Sequence, residues 1–224
     1  MKYKVIIPAR LNSKRLPGKN MRLLGGKPLI QYSIDFAKDN FDNSLIWVNS
    51  DCPDILEFAY KLGVNVFLRP YELALDTTST VDVLINQIEN FKENNIVCDA
   101  LILLQPTNPF RNNEILWQVI EKFQNSGRNS IATFSNFRKK FGNILNDKFV
   151  PQNYIPGQRS QDIPKSYYEN GLLYISKTES ILKGKIITDD VFPFLCEDVE
   201  SSVDIDNLED FIFAESILKL KNYE

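Results

Sequence analysis

The chain has 224 residues, of which 43% are hydrophobic and 25% are charged, a composition typical of a folded soluble protein rather than a disordered one. Its 26 basic and 29 acidic residues give a net charge of −3, which argues against nucleic acid as the main partner. The sequence has no histidine, which excludes Ser-His-Asp and Cys-His catalysis and any zinc site that needs imidazole.

Short apolar runs alternate with amphipathic segments along most of the chain. The runs predict strands at Tyr3–Pro8, Leu45–Asn49, Asn65–Leu68, Ala100–Leu104, Ser130–Phe134, Leu172–Ser176 and Ser202–Asp206. The periodic segments predict helices at Pro28–Lys38, Pro53–Leu62, Ser79–Lys92, Asn112–Asn125 and Asn207–Leu220. This order predicts an α/β fold with a doubly wound, mainly parallel, Rossmann-like sheet, in which ligands bind at the carboxyl ends of the strands.

The alternation stops between residues 135 and 170. This stretch is polar, contains Pro151, Pro156 and Pro164, and has no long periodic segment. An irregular stretch of this length inside a compact domain is usually functional or part of an interface. We therefore predict one domain over residues 1–224 with an inserted segment over about residues 136–168.

Cysteine usage and hydropathy bear on the compartment. The three cysteines form no Cys-x-x-Cys pair, which favours a reducing compartment. The N-terminal apolar run is too short for a signal peptide, and no apolar run approaches the roughly 20 residues that span a bilayer. We expect a cytoplasmic protein without a membrane partner.

A basic loop follows the first predicted strand. Residues 9–20 read ARLNSKRLPGKN and place four cations, Arg10, Lys14, Arg15 and Lys19, within ten residues. Positive donors at the end of a buried strand can surround a polyphosphate. The loop has neither the dinucleotide fingerprint nor the P-loop pattern, and a solvated surface loop is the alternative.

A pair of carboxylates precedes the last predicted helix. In a strand, Asp204 and Asp206 would point to one side, where two carboxylates can bind Mg²⁺. The alternative for Asp206 is a capping box with Glu209, and for Asp204 an exposed position on the strand.

Two further loops follow predicted strands. Residues 104–111 read LQPTNPFR, and the alternative to a functional turn is an ordinary connection capped by Asn112 or Asn113. Residues 69–80 read RPYELALDTTST, and a cluster of helix-capping hydroxyls explains the threonines and serine but not Arg69.

These segments together resemble the sugar-acid cytidylyltransferases, above all the acylneuraminate cytidylyltransferases, also called CMP-sialic acid synthetases. The similar segments are IPAR, SKRLP and KN in the first loop, LRP, ELA and DT in the second, QPTNPFR, NG followed by LYI, and VDID. They occur in the family's order over nearly the whole chain.

The resemblance implies a fold of the nucleotide-diphospho-sugar transferase type and a reaction of CTP with an α-keto sugar acid that yields a CMP-sugar and pyrophosphate. It assigns residues to each part of that reaction. The implied CTP-binding residues are Arg10, Ser13, Lys14, Lys19, Asn20, Arg69 and Thr80, and Arg10, Lys19 and Asp206 are the implied catalytic residues. Asp204 and Asp206 are the implied Mg²⁺ ligands, and Gln105 and Asn170 fall on the acceptor side.

The insertion departs from the family pattern. Ser160 and Tyr168 stand where the family has arginines, and the neighbouring Arg159 is the candidate replacement. Either Lys139 or Lys140 takes the place of the family lysine that helps to bind the acid, and Lys140 is our candidate. A sialic, legionaminic-type, pseudaminic-type or eight-carbon Kdo-like acid therefore remains open as acceptor.

The resemblance also implies a homodimer that pairs through the insertion. The aromatic and aliphatic side chains of the insertion would be buried in such a contact. Phe192 and Phe194, predicted to lie in a loop, are candidates for apolar walls of the acceptor site. The competing functions are a Kdo-type cytidylyltransferase, a dinucleotide-binding oxidoreductase and a non-catalytic nucleotide-binding module.

Overall fold

The computed structural model describes residues 1–221, in which eleven strands and six α-helices alternate. The strands are β1 (Tyr3–Pro8), β2 (Leu23–Leu24), β3 (Lys27–Pro28), β4 (Ile46–Ser50), β5 (Asn65–Leu68), β6 (Ala100–Leu103), β7 (Ser130–Phe137), β8 (Gly142–Leu145), β9 (Lys148–Pro151), β10 (Ser166–Lys177) and β11 (Phe192–Cys196). The helices are α1 (Leu29–Asn40), α2 (Pro53–Lys61), α3 (Thr80–Glu93), α4 (Asn113–Ser126), α5 (Thr178–Ile181) and α6 (Leu208–Lys221).

Seven strands form the central sheet in the order β11-β7-β10-β6-β1-β4-β5. Strands β5, β4, β1 and β6 run parallel, β10 is antiparallel to both of its neighbours, and β11 is parallel to β7. The predicted α/β fold with a mainly parallel sheet is therefore confirmed. None of the helices in residues 1–221 is long and apolar enough to cross a bilayer.

Apolar side chains pack on both faces of the sheet and in a third cluster at its edge. One face packs against α1, α2 and α4, and the other against α3 and α5. The third cluster joins Leu16 of the basic loop to Val203, Ile205 and one side of α6. This cluster matters for the site because it holds the basic loop and the Asp204–Asp206 segment against each other.

The segment predicted as a strand at Ser202–Asp206 is not one. Ser202 ends a 3-10 turn, residues 203–206 belong to no strand, and Ile205 N donates a hydrogen bond to the carbonyl of Thr107 at 2.8 Å. Its alternating pattern arises because Val203 and Ile205 are buried in the third cluster while Asp204 and Asp206 face away from it. The expectation that both carboxylates leave the same side of the chain is retained.

The insertion contains more regular structure than its sequence indicates. Strand β7 continues to Phe137, β10 begins at Ser166, and β8 and β9 form a hairpin between them. The hairpin carries exposed apolar side chains, among them Ile144, which is 77% exposed. A hairpin with little buried surface lacks a clear alternating pattern, which is why its strands were not predicted.

Strand β11 was also missed, and the loop predicted around Phe192 and Phe194 is wrong. Both residues pair with β7, and their side chains pack against the main core of the same chain. Pro193 lies between them and is tolerated because β11 is an edge strand, where one N–H needs no partner.

A bulge in β10 lies against Asn108 and Gln105. The register of β10 on β7 shifts between Glu169 and Tyr174, and the Asn170 side chain accepts hydrogen bonds from Thr133 Oγ1 and the Leu172 amide. Gly171 has φ +76°, and a Cβ added there would lie 2.9 Å from Asn108 Oδ1. The bulge thus requires glycine for both its backbone angle and its close contact.

We expect Gly171→Ala to lower the free energy of unfolding by about 2–4 kcal/mol, which combines left-handed strain with displacement of a buried amide. Gly127→Ala is the matched control, since Gly127 has φ +69° and nothing within 4 Å of an added Cβ. Its loss should be about 1–2 kcal/mol. Urea unfolding measures both, and equal losses would show that the contact with Asn108 is unimportant.

Candidate active site

A cavity of about 520 Å³ opens at the carboxyl ends of β1 and β6. These strands are neighbours, but the chain continues from β1 outward through β4 and β5 before it returns to β6, so the cavity lies where the strand order reverses. All seven residues predicted to bind CTP line it, together with Gln105 and Asp206. The lining residues are Pro8, Arg10, Ser13, Lys14, Arg15, Lys19, Asn20, Arg69, Leu73, Leu75, Asp76, Thr78, Ser79, Thr80, Val83, Gln105, Pro106, Thr107 and Asp206.

Three buried side chains fix the basic loop. Leu16 packs in the third apolar cluster, and Asn20 Nδ2 donates a hydrogen bond to the carbonyl of Arg10 at 2.8 Å. Lys19, only 9% exposed, donates from Nζ to the carbonyl of Ile205 at 2.8 Å. The loop is therefore an ordered part of the cavity wall, and the alternative of a solvated surface loop does not fit it.

Asp76 pairs with two of the cavity cations. Its carboxylate lies 3.0 Å from Arg10 NH1 and 2.9 Å from Lys14 Nζ. The hydrogen bond from Lys14 is the main cause that holds the pKa of Asp76 below its ordinary value, and Arg10 adds to it. Sequence reasoning noted Asp76 only as part of a motif, because nothing in a linear pattern pairs it with a loop some 60 residues away.

Arg69 is buried at the side of the cavity near Thr80. Its Nε donates to Asn49 Oδ1 at 2.7 Å, its NH2 donates to the carbonyl of Asn49, and Asn49 in turn donates to Gln87. Burial lowers the pKa of Arg69 to about 10, an effect that the Asp51 charge opposes. Arg69 is thus charged at neutral pH. It is held in one orientation by Asn49, which Gln87 supports in turn, and the sequence alone indicated a role for neither residue.

The carboxylate of Asp206 contacts two cations of the basic loop. Its Oδ2 lies 2.8 Å from Arg15 NH2 and its Oδ1 lies 3.2 Å from Lys19 Nζ. Both oxygens are therefore directed at the cavity wall that carries the positive charge.

The alternative reading of Asp206, a capping box with Glu209, is wrong. Asn207 and Asp210 form the reciprocal pair at the start of α6, with Asp210 N donating to Asn207 Oδ1 at 2.9 Å and Asn207 N donating to Asp210 Oδ2 at 3.1 Å. The side chain of Asp206 is consequently not needed to begin the helix.

Asp204 and Asp206 are the candidate ligands of a divalent cation, and of the two only Asp206 is among the described residues that line the cavity. Partial removal of water from the Asp204 carboxylate raises its pKa above the ordinary value. The hydrogen bond from Thr107 opposes this rise, and the charge of Asp206 adds to the rise. Two carboxylates close enough to repel each other favour a shared cation. Residues 1–221 contain no group of three or more metal-ligating side chains, so further Mg²⁺ ligands would be water and phosphate oxygens.

The turn after β6 connects the cavity to the bulge in β10. Asn108 Nδ2 donates to the carbonyls of Asn170 at 2.9 Å and Val203 at 2.8 Å. Arg111 donates to the carbonyls of Leu172 and Gln105. The capping of the following helix by Asn112 is present as expected, but the turn also has these tertiary contacts.

The predicted acceptor-binding residues are not all together. Gln105 lines the cavity, whereas Asn170 lies beneath it, buried, with its amide engaged by Thr133, Ser135 and Leu172. Neither Lys140 nor Arg159 lines the cavity. Lys140 donates to the carbonyl of Gln158, and Arg159 pairs with Asp162 at 2.7 Å, so both have partners inside the insertion.

A family model described as cytidylyltransferase matches residues 4–223. The chain belongs to the cytidylyltransferase family. Among curated relatives, this cytidylyltransferase is 30% identical over 229 residues to the CMP-N,N'-diacetyllegionaminic acid synthase of Legionella pneumophila subsp. pneumophila, covering 98% of this chain and 97% of that protein. It is 31% identical over 228 residues to the pseudaminic acid cytidylyltransferase of Campylobacter jejuni subsp. jejuni, covering 99% and 98%.

A longer relative is also similar. The N-acylneuraminate cytidylyltransferase of Streptococcus agalactiae serotype III is 33% identical over 220 residues, which are 95% of this cytidylyltransferase and 52% of that protein. This chain thus spans about half the length of that relative. A solved CMP:2-keto-3-deoxy-manno-octonic acid synthetase complexed with CTP aligns at TM-score 0.73 and 16% identity, over 99% of this chain and 100% of that chain. At this identity the similarity concerns the fold alone.

We expect Asp204→Asn to stabilise the ligand-free protein at neutral pH by up to about 1 kcal/mol, a small value because the residue is exposed. A raised pKa means that the fold disfavours the charged carboxylate. The gain in the free energy of unfolding should therefore be absent below the ordinary aspartate pKa. It should grow as pH rises from that value through the raised pKa of Asp204 in the folded protein. Urea unfolding between pH 4 and 8 measures this. Asp206→Asn, which unpairs Arg15 and Lys19, should give no gain, and a gain independent of pH would contradict the assignment.

Proposed function

We propose that this cytidylyltransferase transfers the CMP unit of CTP to a nonulosonic α-keto sugar acid and releases pyrophosphate. The observation that carries the proposal is the cavity, which combines the cations of the basic loop, the buried Arg69 and the carboxylate of Asp206. The names of its full-length relatives, which act on legionaminic and pseudaminic acids, support the acceptor class.

The triphosphate would bind along the basic loop. Arg10 and Lys14 contact the carboxylate of Asp76 in the ligand-free protein, and phosphate oxygens would replace that carboxylate. Lys19 is held at the cavity wall by the Ile205 carbonyl, so its charge is in position before the nucleotide binds. Cations held in this way stabilise the charge that builds up on the departing pyrophosphate without further rearrangement.

Arg69 and Thr80 would bind the cytosine. The side-chain oxygen and the backbone carbonyl of Asn49 hold the Arg69 guanidinium. Its remaining N–H donors suit the carbonyl and ring nitrogen of cytosine. Uracil carries an N–H at the corresponding ring position and would meet a donor with a donor. CTP preference over UTP follows from this arrangement.

Asp204 and Asp206 would hold Mg²⁺ together with phosphate and water oxygens. When bound, Mg²⁺ supplies a Lewis acid that neutralises phosphate charge and lowers the pKa of a coordinated hydroxyl. The residues of the chain bring the two substrates together: Gln105 lines the acceptor side and the loop cations line the nucleotide side, so the sugar hydroxyl is oriented toward the α-phosphorus.

The nine-carbon acids are favoured over the eight-carbon alternative. The relatives at 30–33% identity are named for legionaminic, pseudaminic and N-acylneuraminic substrates, whereas the likeness to the octonic acid synthetase is one of fold.

Three free cysteines, of which Cys52 and Cys196 are buried, agree with the proposed cytoplasmic location.

A pyrophosphate-release assay with CTP and a panel of keto sugar acids tests the function. We expect Mg²⁺-dependent turnover with at least one nonulosonic acid, and roughly 5- to 150-fold lower kcat/KM with UTP, since one mispaired hydrogen bond costs about 1–3 kcal/mol. Equal turnover of CTP and UTP would contradict the role of Arg69. Turnover of the eight-carbon acid alone would support the Kdo-type alternative.

Asp206→Asn should lower kcat by about 10³-fold or more, because a metal-binding carboxylate stabilises the transition state by several kcal/mol. Helix α6 should persist, since Asn207 and Asp210 cap it. Circular dichroism and the pyrophosphate assay at varied Mg²⁺ measure both. Near-normal Mg²⁺-dependent turnover would remove Asp206 from the catalytic residues.

We also propose that the chain forms a homodimer through the insertion at residues 136–168. The hairpin of β8 and β9 exposes Ile144, Leu145 and Phe149, each more than half exposed, on a projection that its own chain does not cover. A two-fold contact between identical projections would bury these side chains on both copies. Lys140 and Arg159 lie in the same segment, so pairing would be the means by which they approach an acceptor.

Sedimentation of Ile144→Lys tests the dimer. The substitution should shift the protein to monomer at micromolar concentration, because a lysine at the centre of an apolar contact is costly to bury. Tyr60→Lys is the matched control, since Tyr60 is 70% exposed on α2. A fully active wild-type monomer at micromolar concentration would remove both the dimer and a shared acceptor site.

A further inference from the structure

Arg111 lies next to the turn that lines the cavity and bonds three separate segments. Its Nε donates to the carbonyl of Leu172 at 2.8 Å, its NH1 donates to Ser33 Oγ at 2.9 Å, and its NH2 donates to the carbonyl of Gln105 at 2.6 Å. The guanidinium therefore links the bulge of β10, helix α1 and the cavity-lining turn. A guanidinium has donors on three separate nitrogens and can bond these three acceptors at once. A lysine has a single nitrogen and cannot reach all three.

The charge of Arg111 has no counter-ion nearby. Within residues 1–221, no carboxylate oxygen approaches its nitrogens to within 4.0 Å, and its other contact is the Phe36 ring at 5.9 Å. Burial lowers the pKa of Arg111 to about 9, so the group remains charged at neutral pH. A half-buried charge without a partner is costly, and a neutral residue would fill this space at lower cost if only packing were required.

Gln105 is the cavity residue that Arg111 holds. Its carbonyl also accepts from the Asn108 amide at 3.2 Å, so the backbone of Gln105 is fixed from two directions. Its carboxamide faces the cavity and makes no hydrogen bond within residues 1–221, and its Oε1 lies 3.3 Å from the position of a Cβ on Gly171. The side chain thus rests on the bulge with its polar atoms free for a ligand.

We propose that Arg111 is a positioning residue that fixes Gln105 and the bulge of β10 for recognition of the sugar-acid acceptor. The inference rests on the proposed function, because Gln105 lines the acceptor side of that reaction. The CTP side is held by different contacts, those of Lys19 and Asn49, so Arg111 affects one substrate and not the other.

The experiment compares Arg111→Lys and Arg111→Met with wild type by steady-state kinetics and CTP binding. We expect KM for the acceptor to rise about 10- to 100-fold, as for a misplaced binding group, with KM for CTP changed less than threefold. Arg111→Lys keeps the charge but loses the fork, so it should resemble Arg111→Met. CTP affinity, measured by calorimetry, reports whether either variant is folded with an intact nucleotide site.

Two controls separate positioning from stability. Ser33→Ala removes a hydrogen bond from the same guanidinium on the α1 side and should lower the unfolding midpoint while leaving acceptor KM within twofold. Gln105→Ala should raise acceptor KM, and Gln105→Ala with Arg111→Lys should raise it no further, because both act through one side chain.

The outcomes are distinct. Equal rises in KM for both substrates, additive effects in the double variant, or a Ser33→Ala effect as large as that of Arg111→Lys would overturn the positioning role. Absence of wild-type turnover with every sugar acid would instead overturn the proposed function. In that case, unchanged CTP affinity in Arg111→Lys would still place its influence away from the nucleotide.

Discussion

Two side chains, the buried Asn108 and the half-buried Arg111, hold the turn after β6 against the other segments that complete the cavity. Asn108 donates to the carbonyls of Asn170 and Val203, and Arg111 donates to those of Leu172 and Gln105. These contacts join the central sheet to the β10 bulge and to the segment that carries Asp204 and Asp206. Of the two, Asn108 bonds the segment that carries the carboxylates, and Arg111 bonds the acceptor side.

The electrostatics of the cavity follow from this geometry. Arg10 and Lys14 are paired with Asp76, and Arg15 and Lys19 are paired with Asp206, so two carboxylates offset only part of the positive charge of the cavity. In the proposed function, a triphosphate with its cation would bring the same two kinds of charge and replace these pairs. Because the pairs are partly exposed, each is worth little to stability and is readily exchanged.

Several elements were predictable because local patterns decide them. Strands β1 and β5 begin and end where their apolar runs predict, and the basic loop lines the cavity because it leaves the end of a buried strand. The hairpin of β8 and β9 was not predictable, since its side chains are exposed and carry no burial pattern. Phe192 and Phe194 were misread because a proline between two aromatic residues also fits a loop.

The sequence by itself determined the fold class, the family and the chemical type of each cavity residue, because periodicity and short motifs are local properties. Only the tertiary structure decided which charges meet. The deciding contacts join residues that are distant in sequence or that a bend of the backbone brings together. They are Asp76 with Arg10, Asp206 with Arg15, and Arg111 with the carbonyls of Gln105 and Leu172. Such pairings arise from the strand order and the bulge of β10, and no spacing along the chain encodes them.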